Sequence, residues 1–73
     1  MLFMPLTVAS IGKQFKVVKN LAQPKAKKHL ENLGLLAGSV VTVIADNAGD
    51  LIVKIKDSRV AINRDLALKI FVE

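Results

Sequence analysis

The 73-residue chain predicts a small, mostly β protein: a strongly bent antiparallel barrel of five short strands with one α-helix inserted after the first. Three observations carry this. Alternating or β-branched runs recur at close spacing, as in small barrels. Turn residues separate them, above all Asp46-Asn47-Ala48-Gly49-Asp50. One helical pattern, opening at Pro24 and stopping at Gly34, interrupts the series.

Taken in order, residues 1–12 hold Pro5 and Gly12 and read as a lead-in turn, with Leu6, Val8 and Ile11 expected over one end of the core. From Lys13 to Leu21 an imperfect alternation makes the first strand and turns Phe15 and Val17 inward. Pro24 suits a first helical position, because the amide it lacks would have no partner there. In the roughly ten-residue helix that follows, Ala26, Leu30 and Leu33 recur at four and three residues and form one apolar stripe. Gly34 stands where a left-handed C-cap residue belongs, and Gly38 supplies a second permissive backbone position. These two glycines are the expected fold-critical turns.

Val40-Val41-Thr42-Val43-Ile44 is almost wholly β-branched, which predicts a strand buried on both faces or curling around a barrel. In the turn that follows, Asn47 and Gly49 are the residues suited to positive φ. Leu51, Val53 and Ile55 then alternate with Ile52, Lys54 and Lys56 as the clearest half-buried strand. Asp57-Ser58 is read as the tight connection to Arg59-Val60-Ala61-Ile62. Residues 64–67 have room for one helical turn, and Leu68 to Val72 closes the domain with Ile70 and Val72 inward.

Length allows a single domain over residues 1–73, and a chain of this size buries only about 60% of its unfolded surface. With three aromatics, Phe3, Phe15 and Phe71, the core must come from Val, Ile, Leu and Ala, which argues against a deep ligand cavity. There is no cysteine, hence no disulfide, thiolate nucleophile or thiolate metal site. Met1 to Thr7 lacks a basic leader and is broken by Pro5, and no apolar run approaches the ~20 residues of a membrane span, so neither export nor membrane insertion is expected.

The inventory also argues against an enzyme. The single histidine, His29, has no evident acid and nucleophile partners, and Ser10, Ser39 and Ser58 fall in turns. Gly12-Lys13-Gln14 matches the end of a phosphate-binding loop, but Thr7 stands for its first glycine and Gln14 for its hydroxyl residue. No metal site or cofactor is expected: His29 and Glu31 diverge on a helix, and Asp46 and Asp50 lack calcium-loop spacing. Weak, non-structural divalent binding through these oxygens and His29 is the most they allow. A nucleic-acid barrel would use aromatic platforms, and only Phe15, between Lys13 and Lys16, offers one; Phe15 reads as core, so no nucleic acid is expected.

Charge points to a partner instead. The chain carries a formal net charge of +5. Lys25, Lys27 and Lys28 crowd the first turn or so of the helix, where the dipole disfavours cations by a few tenths to ~1 kcal/mol each. Helix stability would not select them; an anionic partner would, against the plainer alternative of a solvated face. Alternation at the helix–strand junction cannot bury both Leu35 and Leu36, so one is expected to be an exposed contact.

Lys28-His29-Leu30-Glu31-Asn32-Leu33-Gly34-Leu35-Leu36-Ala37-Gly38-Ser39 with Val40 to Ile44 resembles the signature region of the FeoA family, ferrous-iron transport protein A. There a helix ends in Leu-Gly, two apolar residues follow, and Pro-Gly opens a strand. Arg59 through Val72 resembles the family's closing strand, short turn and last strand, so the likeness runs from Pro5 to Val72. Ala37 stands for the usual Pro, His29 lies near a frequent Arg, and Asp57-Ser58 replaces a common Gly. The resemblance implies an SH3-like barrel in the cytoplasm, a non-enzymatic accessory of ferrous-iron uptake beside a membrane permease with a cytosolic GTPase domain. Lys25, Lys27, Lys28, Leu35 and Leu36 are then the candidate partner-binding residues. The alternatives are a small basic barrel binding nucleic acid and a metal-sensing module like the C-terminal domain of metal-dependent repressors.

Overall fold

The computed structural model describes residues 3–73, so Met1 and Leu2 of the lead-in lie outside the described residues. Along the chain come β1 (Met4–Pro5), a 3₁₀ turn (Leu6–Val8), β2 (Gln14–Asn20), α1 (Pro24–Asn32), β3 (Val40–Asn47), β4 (Asp50–Ile55), β5 (Ser58–Ile62), α2 (Arg64–Ala67) and β6 (Ile70–Val72). All strand pairs are antiparallel, in the order β1-β6-β2-β3-β4-β5. This is the mostly β, one-main-helix architecture expected, with two differences. Among the described residues there are six strands rather than five, because Met4 and Pro5 of the lead-in pair with Val72 and Phe71. And the ladder is an open, bent sheet with β1 and β5 at its edges rather than a hydrogen-bonded closed barrel.

The bend has a local cause. Gln14 to Lys16 of β2 pair with β3, whereas Val17 to Asn20 pair with β6, and the β2–β6 register slips between Val17 and Lys19. A second irregularity falls between Val43 and Ala45 of β3. An extra residue in one strand bends it and increases its twist, so both bulges wrap the sheet around its own inner face. That face carries Phe15, Val17, Val41, Val43, Leu51, Val53, Ile55, Ile62, Ile70 and Val72, joined by Leu6, Leu30, Leu35 and Ala67 in one cluster.

Phe15, Val17, Ile70 and Val72 are buried as alternation predicts. The β-branched run of β3 is not buried on both faces: Val41 and Val43 point inward while Val40 is 52% exposed. Of Leu6, Val8 and Ile11, Leu6 alone is buried in the core, Val8 and Ile11 being exposed, because the short 3₁₀ turn commits one side chain inward. Leu30 is the buried residue of the helical stripe and Ala26 is half-buried, but Leu33 is exposed, since it is the C-cap and the chain reverses just after it.

That reversal at Gly34 is a Schellman motif. The Gly34 amide donates to the Glu31 carbonyl at 3.0 Å and the Leu35 amide to the Leu30 carbonyl at 2.9 Å. Gly34 has φ +104°, and a Cβ there would sit 3.2 Å from Ile55 Cγ2. Both hairpins differ from expectation by one residue. In β3–β4 the positive φ values fall on Ala48 (53°) and Gly49 (97°), the sign pattern of a type I′ turn, while Asn47 ends the ladder opposite Asp50. In β4–β5 the turn is Lys56-Asp57, with Lys56 at φ 53°, because Ser58 already pairs with Ile55.

Candidate docking site

The junction between α1 and β3 is the most built surface feature. Leu36 and Ser39 exchange two contacts: the Ser39 amide donates to the Leu36 carbonyl at 2.9 Å, and the Ser39 hydroxyl accepts from the Leu36 amide at 3.3 Å. Between them Gly38 has φ +93°, fitting the third position of a type II turn, where a preceding proline is common. Ala37 occupies that preceding position. Two further bonds, Gly38 amide to Val17 carbonyl at 2.8 Å and Val17 amide to Ser39 carbonyl at 2.9 Å, pin the turn to β2.

Beside this turn lies a groove of about 690 Å³ lined by Leu36, Val40, Gln14, Thr42, Lys54 and Lys56 together with the turn itself. Leu36 is 46% exposed while Leu35 is completely buried. Leu35 therefore drops out as a contact: the Schellman motif directs it into the core with Leu30. A smaller groove of about 230 Å³ separates α1 from α2, between Ala26 and Leu66.

Lys25, Lys27 and Lys28 are all exposed on α1, and none of them lines either groove. The structure thus divides the residues singled out from sequence into a cationic helix face and, through Leu36 and Gly38, one wall of a separate groove. Lys54, Lys56, Val40, Thr42 and Gln14 escaped sequence reasoning. Alternation could have found Val40, since an inward Val41 sends it outward; the meeting of the three strands could not be read locally.

Among the described residues no group of three His, Asp or Glu side chains could hold a metal ion. His29 is exposed on the helix, and Asp46 is engaged in its own hairpin, accepting from the Gly49 amide at 3.2 Å. Phe15 is buried, with Lys13 Nζ 5.8 Å from its ring centroid, so it is no stacking platform. Among the described residues no helix is long and apolar enough to cross a membrane.

The bent antiparallel sheet with its one main helix is that of a small SH3-like domain. The FeoA domain family model matches residues 4–73, and the chain belongs to that family. It is 39% identical over 69 residues to an Fe(2+) transport protein A of Methanocaldococcus jannaschii, covering 94% of this chain and 84% of the relative. A crystal structure of an iron uptake regulatory protein, FeoA, superposes with a TM-score of 0.86 at 27% identity over 100% of this chain and 97% of the other. The zinc complex of Stenotrophomonas maltophilia FeoA, described as a prokaryotic SH3 domain protein, shares the fold with a TM-score of 0.79 at 24% identity, over 96% and 89% of the two chains.

Proposed function

We propose that this chain is a non-catalytic cytoplasmic accessory protein of ferrous-iron uptake, docking on the cytosolic GTPase-bearing part of the iron permease and modulating transport. Family membership supports the transport role. The observation that carries the docking is the cationic face of α1: Lys25, Lys27 and Lys28 are exposed together in its first half, where the helix dipole opposes them. Cations kept at that end attract a negatively charged protein surface and speed its encounter. Leu36, exposed at the following turn, adds an apolar contact.

The test is a pull-down with the permease's purified cytosolic domain, comparing wild type with the double variant Lys27→Glu, Lys28→Glu. Retention of the wild type and a loss of about tenfold or more in the variant are expected, with coupling of the order seen for interfacial charge pairs. Equal retention removes the helix from the interface. No retention of the wild type overturns the docking role.

A further inference from the structure

The groove beside the 36–39 turn has a chemistry of its own. Its floor is a single row across three strands: Gln14 of β2 stands opposite Thr42 of β3, which stands opposite Lys54 of β4. Leu36 and Val40 supply aliphatic surface, about half exposed in each case. Lys54 and Lys56 are its charged residues, and no acidic residue lines it. The wall is held by the four hydrogen bonds that fix the turn to itself and to β2, so the site is formed before anything binds. Preorganisation of this kind lowers the ordering cost of association.

We infer that this groove receives an acidic peptide segment bearing an aliphatic side chain, contributed by the docking partner. The aliphatic group covers Leu36 and Val40, flanking carboxylates meet the ammonium groups of Lys54 and Lys56, and the Gln14 and Thr42 side chains serve the peptide backbone. Charge complementarity selects this occupant. A single-stranded nucleic acid would want an aromatic stacking surface, and the lining contains none. A second copy docking the same face by two-fold symmetry would bring lysines against lysines. The inference rests on the reading of the chain as a docking module, but places a contact apart from Lys25, Lys27 and Lys28.

The experiment titrates the isotopically labelled full chain with the capped pentapeptide Glu-Asp-Leu-Glu-Asp and follows backbone amide shifts. Saturable changes are expected at Gln14, Leu36 to Val40, Thr42 and Lys54, shrinking as salt is raised. Leu36→Ser, and separately Lys54→Glu with Lys56→Glu, should each weaken binding about tenfold, a loss of about 1.4 kcal/mol. The assignment is overturned by absence of saturable shifts, by equal response to a peptide with Ser in place of Leu, by equal response to oligothymidylate, or by groove shifts that track protein concentration without peptide. Peptide binding without permease retention would sink the transporter reading and keep the groove; permease retention unaffected by the Leu36 and lysine variants, with no peptide binding, would sink the groove alone.

Discussion

At the scale of single residues, two backbone positions hold opposite lessons. Gly34 is required twice over, by its φ of +104° and by the 3.2 Å approach a Cβ would make to Ile55 Cγ2, a core side chain with little room to yield. A left-handed conformation alone costs an L-residue roughly 1–2 kcal/mol. Gly34→Ala should therefore lower unfolding free energy by about 2 kcal/mol or more, read as a reduced urea midpoint at constant slope. Lys56 sits in the same backbone region, at φ 53°, without being glycine. Lys56→Gly should raise stability by about 0.5–1 kcal/mol, relief of strain being partly offset by the greater entropy of glycine in the unfolded chain. A lowered midpoint would show that the Lys56 side chain contributes more than its backbone costs.

Among the elements, α1 is the one whose own sequence works against it. Its N-cap, Gln23, makes no side-chain capping bond, its first turn holds no acid, and Leu30 is its one buried residue among those described. Gln23→Asp should add about 1 kcal/mol by capping a free amide and complementing the dipole, measured by denaturant unfolding. The same reasoning separates two roles for the lysines: Lys27→Glu with Lys28→Glu should leave stability level or slightly raised while partner binding falls. α2 shows the contrast, since Asn63 caps it with a 2.8 Å bond from the Leu66 amide, enough to hold four residues helical.

On the scale of the whole molecule, stability rests on one core enclosed by a twice-bulged sheet. A chain of this length has about 4–11 kcal/mol of folding free energy at its disposal. Ile62→Ala, which empties a fully buried position, should cost about 2–5 kcal/mol and leave a domain that melts near ambient temperature. Retention of most of the wild-type melting temperature would show that the bent sheet collapses around the cavity.

Local chemistry made much of this fold readable. Pro24 and Gly34 bracket the helix, and the inward sets Phe15 and Val17, then Leu51, Val53 and Ile55, then Ile70 and Val72 follow from alternation, because these signals act within a few residues of chain. Positions decided by pairing register read less well. Asn47 was the better residue for a left-handed turn, yet the ladder closes on Asn47 and Asp50 and passes the strain to Ala48. The cationic helix and the exposed one of two leucines were legible as candidates; the groove was not, since Gln14, Thr42 and Lys54 are scattered in sequence and become neighbours only across three strands.

By itself, then, the sequence determined the main helix, five of the six strands, most of the inward positions and the family resemblance, through periodicity, caps and turn residues that need no distant partner. Tertiary structure decided the sixth strand, the open edges, which leucine is buried, and the meeting of Leu36 and Val40 with Lys54 and Lys56 in one groove. Each of these depends on strand register and on the two bulges that bend the sheet, and register is a contest between whole strands that no short stretch of residues settles alone.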